Sequence, residues 1–202
     1  MFKNYYPLVF LFLIITLSSC AASYKSINPE RLRYHARSND SGIVFSYKYD
    51  ILKESGNKKY AKKEDRANLQ LVAVRLYNGT DSSITMSENI TLYSGGLPIS
   101  PFNTESTIRQ LNQNTALYLL YSLLWLQIGS CNNNGCKSAT LPIGIPISIG
   151  NMIVSSTANS NLKNELNNYD ILNDSIEPGE TAYGIIGIKD TGFNPLSVKY
   201  RE

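Results

Sequence analysis

An alternation of apolar and polar side chains over residues 42–52 is the feature that most constrains how this chain can fold. Successive side chains of a β-strand point to opposite faces, so the alternation predicts an antiparallel strand with one buried face. Residues 68–77 (NLQLVAVRLY) are apolar on both faces in their middle, which predicts a central strand. The buried face of the first strand is expected to carry Ile43, Phe45, Tyr47, Tyr49 and Ile51.

Turn residues divide the rest of the chain into further short strands. Asn78-Gly79-Thr80-Asp81 and the SIEPG sequence at residues 175–179 both have turn chemistry. The run of mixed charge at residues 53–66 is typical of a solvated loop. Together with fourteen tyrosines, these features predict a mainly β fold in which residues 42–202 form one domain. Strands are expected at residues 83–86, 89–93, 181–189 and 195–200, the last of them at a sheet edge.

An apolar insert at about residues 104–172 separates the two strand-rich regions. Within it, residues 115–128 (TALYLLYSLLWLQI) are almost wholly apolar and are expected to be helical, while residues 139–154 are rich in Gly and Pro. Residues 155–172 place leucines and a tyrosine at helical spacing. Three interpretations stay open: a helical hairpin buried against the sheet, a hairpin that dips into a membrane with Trp125 at the interface, or a surface that a partner protein covers.

The N-terminal residues have the pattern of an export signal. Lys3 precedes an apolar run at residues 8–16 (LVFLFLIIT), which is too short to span a hydrocarbon core of ~30 Å. The following Leu17-Ser18-Ser19-Cys20 resembles the lipobox of bacterial lipoproteins. The resemblance implies that residues 1–19 are a lipoprotein signal peptide, cleaved before Cys20, and that the Cys20 thiol carries a diacylglycerol.

The residues after the cysteine bear on location. In lipoproteins of this kind an Asp at the next position retains the protein at the inner membrane, so Ala21 favours the outer membrane. No acidic residue follows directly in CAASYKS, and this favours the periplasmic face. Residues 20–41 have mixed charge and little periodicity, and we expect them to form a lipidated tether.

Two segments of the mature chain carry a further resemblance. An aliphatic strand and turn (LQLVAVRLYNGTDSSITM) and a Pro-Gly-Glu turn before a second aliphatic strand (IEPGETAYGIIGIKD) resemble immunoglobulin-like β-sandwich domains of bacterial envelope lipoproteins. With the insert and its ANSNLKNELNNYDIL segment included, the mature chain resembles uncharacterised lipoproteins of Bacteroidetes-type bacteria. The resemblance implies an antiparallel sandwich interrupted by the apolar hairpin, and a non-catalytic envelope role.

Few residues suggest catalysis or metal binding. His35 is the only histidine and lies in the expected tether, where a catalytic group would lack packed support. Cys131 and Cys136 would need two further ligands to hold a metal, so we expect a disulfide that closes a short Asn- and Gly-rich loop. The carboxylate pairs Glu64/Asp65 and Glu177/Glu180 lie in charged or turn segments. No cofactor or metal is expected.

The sequence therefore predicts a membrane-anchored, non-enzymatic structural or interaction module of the cell envelope. The alternative is a periplasmic or surface hydrolase that acts on envelope polymers, which would require two carboxylates facing one cleft. The expected partners are the lipid bilayer, reached through acylated Cys20 and in one interpretation also through the insert, and an unidentified envelope protein. Nucleic acid is not expected, because it would be in another compartment.

Overall fold

The computed structural model describes residues 20–34, 36–132, 135–189 and 192–201. These residues form two compact units. The sheet unit comprises Tyr24–Asn112 and the chain from Asn159 onwards, and the insert unit comprises Gln113–Ala158 with residues 20–23. In chain order the strands and α-helices are β1 Ala36–Asp40, β2 Ile43–Lys48, α1 Ile51–Glu54, α2 Lys58–Ala67, β3 Leu69–Asn78, β4 Ile84–Thr85, α3 Met86–Asn89, β5 Ile90–Ser94, β6 Leu97–Ile99, α4 Thr104–Leu111, β7 Leu126–Asn132, β8 Gly135–Leu141, α5 Gly144–Asn168, β9 Ser175–Ile176, β10 Thr181–Lys189 and β11 Leu196–Tyr200. Two 3-10 helices, Pro29–Arg31 and Thr115–Leu123, complete the set.

Antiparallel sheets form the framework of the sheet unit. A four-stranded sheet has the order β1-β2-β3-β10, and a three-stranded sheet has the order β11-β5-β6. Strands account for about 34% of the described residues and helices for 36%, so the fold is mixed α/β. The predicted antiparallel strands are therefore confirmed, whereas the helical share exceeds what we expected from a mainly β chain.

One hydrophobic core joins residues from both sheets. Phe45 on β2, Val74 on β3 and Ile186 on β10 share this core with Leu92 on β5 and Val198 on β11. The predicted buried face is confirmed at Ile43, Phe45 and Tyr47, but the predicted polar face is wrong at Ser46, which is also buried. The expected positions 49 and 51 lie beyond the end of the strand. The strand ends at Lys48 because Asp50 adopts a left-handed conformation (φ 57°), and the chain then enters α1.

The prediction that β3 is a central strand is confirmed, since β3 pairs with β2 on one side and β10 on the other. Helices α1 and α2 contact β3, and α4 contacts β10, which explains why residues on both faces of β3 are apolar. Helix α4 approaches strand β10 closely at Gly187, where an added Cβ would lie 2.5 Å from Oγ1 of Thr107 on α4. The predicted edge position of the last strand is also confirmed.

The solvated loop predicted for residues 53–66 is wrong, because most of this run is helical. Tyr60 and Glu64 lie four residues apart on α2, and both are buried. The Glu64 carboxylate accepts a hydrogen bond of 2.5 Å from the backbone N–H of Leu71. A single buried stripe is enough to dock a helix whose other faces are all charged.

The insert differs most from expectation. The helix predicted for residues 115–128 is confirmed only over Thr115–Leu123, where it is a 3-10 helix, and it is wrong from Leu126 onwards, where the chain forms strand β7, which pairs with β8. Helix α5 begins at Gly144, and it accommodates Pro146 because the first turn of a helix requires no backbone N–H donors. The helical spacing predicted from residue 155 is confirmed as far as Asn168. None of the described helices is long and apolar enough to cross a membrane.

The segment expected to be a tether, residues 20–41, contains ordered structure. Strand β1 pairs with β2 along its whole length. Ile27 is buried, and the backbone of Lys25 exchanges two hydrogen bonds with the side chain of Asn57, at 2.8 and 2.7 Å. The low periodicity of this segment reflects docking through backbone groups, not an absence of structure. Residues 1–19, which the sequence predicts to be a signal peptide, and His35 lie outside the described residues.

Candidate functional site

Cys20 is exposed, and the two residues after it are fixed within the insert unit. The backbone N–H of Ala21 donates a hydrogen bond of 2.6 Å to Oδ1 of Asn151 on α5. Ala22 donates to Oε1 of Gln113 (3.2 Å) and its carbonyl accepts from Nε2 of the same side chain (2.7 Å). Consecutive Cα atoms are about 3.8 Å apart, so these bonds hold the Cys20 sulfur close to α5.

The insert unit exposes an unusually large set of apolar side chains. Fourteen of the seventeen large hydrophobic residues that are exposed among the described residues belong to it, although it is the smaller unit. Trp125 is 60% exposed and Leu123 is 71% exposed. We refer to these fourteen residues as the apolar surface: Leu117, Leu119, Leu120, Leu123, Trp125, Leu126, Ile128, Leu141, Ile143, Ile145, Ile147, Ile149, Ile153 and Val154. Soluble monomers rarely expose so large an apolar area without a function for it.

The first part of α5 inverts the usual arrangement of a surface helix. Its buried positions are occupied by small residues: Gly144, Ser148, Ser155 and Ala158. Its isoleucines at residues 145, 149 and 153 are four apart, lie on one face and are exposed. The buried Ser155 hydroxyl donates to Oγ1 of Thr115 at 3.1 Å.

A glycine at the start of α5 allows close backbone packing. A Cβ at residue 144 would lie 1.8 Å from the carbonyl oxygen of Tyr121, so no other residue fits without a backbone shift. The N–H of Gly144 also donates to the carbonyl of Leu124 at 2.9 Å. The buried positions of α5 within the insert unit are thus small residues, Tyr118 and Gln113 are buried elsewhere in the unit, and most of the large aliphatic side chains are exposed.

The β7–β8 hairpin has one apolar face and one polar face. Leu126 pairs with Leu141 and Ile128 with Ala139, and all four lie on one face because opposed residues in an antiparallel pair point the same way. The other face carries the Gln127–Thr140 and Gly129–Ser138 pairs. The described side chains of both strands are exposed.

The two hairpin cysteines lie directly opposite each other. Cys131 and Cys136 are partners in the strand register. Opposed residues of an antiparallel pair have Cα atoms about 4.5–5.5 Å apart, within the range that a disulfide spans. The register therefore suits the disulfide expected from the sequence, which stays a prediction.

Charge is nearly absent from this part of the chain. Lys137 is the only Asp, Glu, Lys or Arg between Arg109 and Lys163. Water-facing protein surfaces normally carry about a quarter to a third of charged residues. The apolar surface therefore has almost no charged side chains among its residues, unlike the surface of the sheet unit.

A buried carboxylate that sequence reasoning missed fixes the start of the sheet unit. Glu165 on α5 is 7% exposed, and its Oε1 accepts from the Ser26 hydroxyl (2.5 Å) and from the backbone N–H groups of Ile27 (2.8 Å) and Asn28 (3.0 Å). Its Oε2 accepts from the Tyr24 hydroxyl. Burial, with this hydrogen bond to Glu165, raises the pKa of Tyr24. No local pattern could reveal a cluster whose members lie about 140 residues apart in sequence.

Of the other carboxylates singled out in the sequence, Glu177 and Glu180 accept hydrogen bonds within their own turn. Glu180 accepts a hydrogen bond of 2.9 Å from the N–H of Glu177 and closes the turn before β10. Three cavities of the sheet unit measure about 260, 310 and 410 Å³, and Glu105 is the only carboxylate among the described residues that line them. The described residues also contain no group of three or more His, Cys, Asp or Glu side chains placed to hold a metal ion.

One of these cavities has basic and aromatic walls. Arg37, Arg75, Tyr77 and Tyr183 line the cavity of about 310 Å³. The Arg75 guanidinium lies 5.5 Å from the centre of the Tyr34 ring, and it donates to the Ser46 hydroxyl at 3.3 Å. Burial raises the pKa of Tyr34, with the nearby Tyr183 as a second cause. These contacts orient Arg75 within the outer face of the sheet.

Comparisons of the chain with protein-family models, curated proteins and solved structures give no match.

Proposed function

We propose that this chain is a bacterial lipoprotein, cleaved before Cys20 and held on a membrane by lipid on that cysteine. The single observation that carries the proposal is that the exposed Cys20 lies in the same compact unit as the apolar surface. The residue that would carry the lipid and a surface unsuited to water therefore belong to one unit, which supports the proposal. Two or three acyl chains give stable anchoring, since each buried CH₂ contributes about 0.8 kcal/mol.

The location and fold class belong to the same proposal. Ala21 supports the outer membrane, and the neutral CAASYKS sequence without acidic residues supports its periplasmic face. The sheet unit is proposed to be a variant of the immunoglobulin-like sandwich of uncharacterised Bacteroidetes-type envelope lipoproteins. A core shared by a four-stranded and a three-stranded sheet supports the sandwich.

Within the envelope, the chain is proposed to act as a non-enzymatic structural or interaction module with an envelope protein as a further partner. The use of its buried carboxylates supports this role. Glu64 and Glu165 are both occupied by backbone donors, so they serve the fold. The insert unit then serves as a contact surface.

Metabolic labelling with an alkyne analogue of palmitate tests the lipid anchor. Wild-type protein should take up the label, and Cys20→Ser should lose it because the thioether needs a thiol. Cys136→Ser is the matched control: it removes a different exposed cysteine and should keep the label. Mass spectrometry of the N-terminal peptide should show a diacylglyceryl cysteine at residue 20. An unlabelled wild-type protein, or label retained in Cys20→Ser, contradicts the proposal.

A further inference from the structure

We infer that the apolar surface of the insert unit binds the lipid bilayer directly, so that the protein has a second membrane contact beside the acyl chains. The inference rests on the proposed function, which places the chain at a membrane through Cys20. It concerns a different set of atoms, since the contact is made by side chains of the 3-10 helix, the hairpin and α5. Four observations select lipid as the occupant of this surface.

The first observation is the internal packing of the insert unit. Where the surroundings are apolar, large aliphatic side chains gain nothing from turning inwards, and small residues pack the interior because they let backbones approach closely. Gly144, Ser148, Ser155 and Ala158 line the buried side of α5, while the isoleucines of the same turns are exposed. A protein partner that covers one patch would not require this inversion along four turns of α5.

The second observation is the chemistry of the 3-10 helix and hairpin. Trp125 joins the 3-10 helix to β7 and is 60% exposed, and tryptophan is enriched where membrane meets water. The hairpin then presents Leu126, Ile128 and Leu141 on one face and polar side chains on the other. An isolated two-stranded hairpin is only marginally stable in water, so a hairpin of this kind gains from an apolar support along one face.

The third observation is charge. Amphipathic segments that bind anionic lipid by electrostatic attraction are rich in Lys and Arg. Here Lys137 is the only charged residue between Arg109 and Lys163. The contact is therefore hydrophobic, and the bilayer it binds needs no net charge.

The fourth observation is the position of the acylation site. The N–H of Ala21 is bonded to Asn151 on α5, and Ile147 and Val154, which lie four residues before and three residues after Asn151 on the same helix face, are exposed. Acyl chains on Cys20 would enter the bilayer beside these two side chains of the insert unit. Once the lipid is inserted, the apolar surface contacts the bilayer intramolecularly, at a high effective concentration.

The test uses the mature chain, which begins at residue 20, with Cys20→Ser so that no lipid contributes. Trp125 is the single tryptophan and reports on the surface directly. With vesicles of phosphatidylcholine alone, its fluorescence should shift to the blue and be quenched by brominated phosphatidylcholine. Phosphatidylglycerol or added salt should change the affinity little. Leu123→Asn should weaken vesicle binding by about tenfold, because a leucine leaves the lipid contact.

Leu97→Asn is the matched control, since Leu97 lies in the sheet unit and is 71% exposed, like Leu123. It should leave vesicle binding unchanged. If the unlipidated chain self-associates instead, and Trp125 becomes buried in the absence of lipid, a second copy is the occupant and the inference is wrong. Absence of vesicle binding, or equal effects of the two substitutions, also overturns it.

A second measurement keeps the inference testable if the unlipidated chain is poorly soluble. In the lipidated protein, brominated lipid should quench Trp125. The reporter moved to the sheet unit (Trp125→Phe with Leu97→Trp) should not be quenched. Absence of Trp125 quenching in protein whose Cys20 carries the palmitate label refutes the inference while the lipoprotein proposal stands. Palmitate label retained in Cys20→Ser, or missing from the wild-type protein, would refute the lipoprotein proposal alone.

Discussion

Replacing Glu165 is the sharpest test of how the N-terminal part of the sheet unit is held. Its carboxylate accepts four hydrogen bonds from residues 24–28 and is almost fully buried. In Glu165→Gln the amide oxygen can still accept from Ser26, Ile27 and Asn28, but the amide NH₂ cannot accept the Tyr24 proton. Hydrogen bonds to a charged group are stronger than neutral ones by about 1 kcal/mol each, and part of this gain offsets the cost of burying the charge.

We therefore expect Glu165→Gln to lower the free energy of unfolding by about 2 kcal/mol. Glu165→Ala should cost more, about 4 kcal/mol, because the buried N–H of Ile27 and its neighbours lose their acceptor altogether. Urea unfolding of the mature chain measures both values. Hydrogen exchange adds a local readout, since the amides of Ile27 and Asn28 should lose protection before those of strand β3 do.

Glu105→Gln is the control for these measurements. The Glu105 side chain is 85% exposed, and its bond to Arg109 is an i,i+4 surface pair of 3.4 Å. Such pairs contribute about 0.3–0.5 kcal/mol, so Glu105→Gln should be nearly neutral. Equal unfolding free energies for the Glu165 and Glu105 variants, or unchanged protection of the Ile27 amide, would refute the reasoning that the buried carboxylate organises residues 24–28.

Two further predictions concern Tyr24 and the hairpin cysteines. Burial and the Glu165 carboxylate raise the pKa of Tyr24 above its ordinary value of 10.0, so its contribution to stability is complete below pH 10 and is lost as the pH rises further. Urea unfolding above pH 10 should therefore show a smaller loss of stability in Tyr24→Phe than in wild type; parallel curves would contradict this. Cys131 and Cys136 should resist iodoacetamide until a reductant is added, and intact mass measurements would expose two free thiols if no disulfide forms.

The strands of the sheet unit could be predicted because their signals are local. β10 has the predicted bounds, residues 181–189, since it follows a Pro-Gly turn and consists of apolar residues flanked by Glu180 and Asp190. The two-faced apolarity of β3 correctly indicated a central strand, although the sequence did not show that helices cover its second face. Periodicity reports that a face is buried, and it does not identify the element that buries it.

Helix α2 shows how composition can hide a packed helix. Nine of the fourteen residues at 53–66 are charged, which favoured a loop. The docking of α2 rests on Tyr60 and on Glu64, whose carboxylate accepts from the Leu71 N–H. Because Glu64 is charged, the buried face of α2 did not look apolar in the sequence. The helix could be recognised only when the hydrogen bond of Glu64 to Leu71 on β3 was known.

The insert shows why an evenly apolar run is the hardest to interpret. Residues 115–128 contain hardly any polar positions, so the helical period of 3.6 residues could not be distinguished from the strand period of two residues. For α5 the difficulty is the assumption that apolar side chains turn inwards, which holds only when the surroundings are water. Ser148 and Ser155 are inside while Ile149 and Ile153 are outside. If lipid surrounds this unit, as we infer, the buried serines and the exposed isoleucines have the same cause: apolar side chains turn towards apolar surroundings, and here those surroundings are lipid.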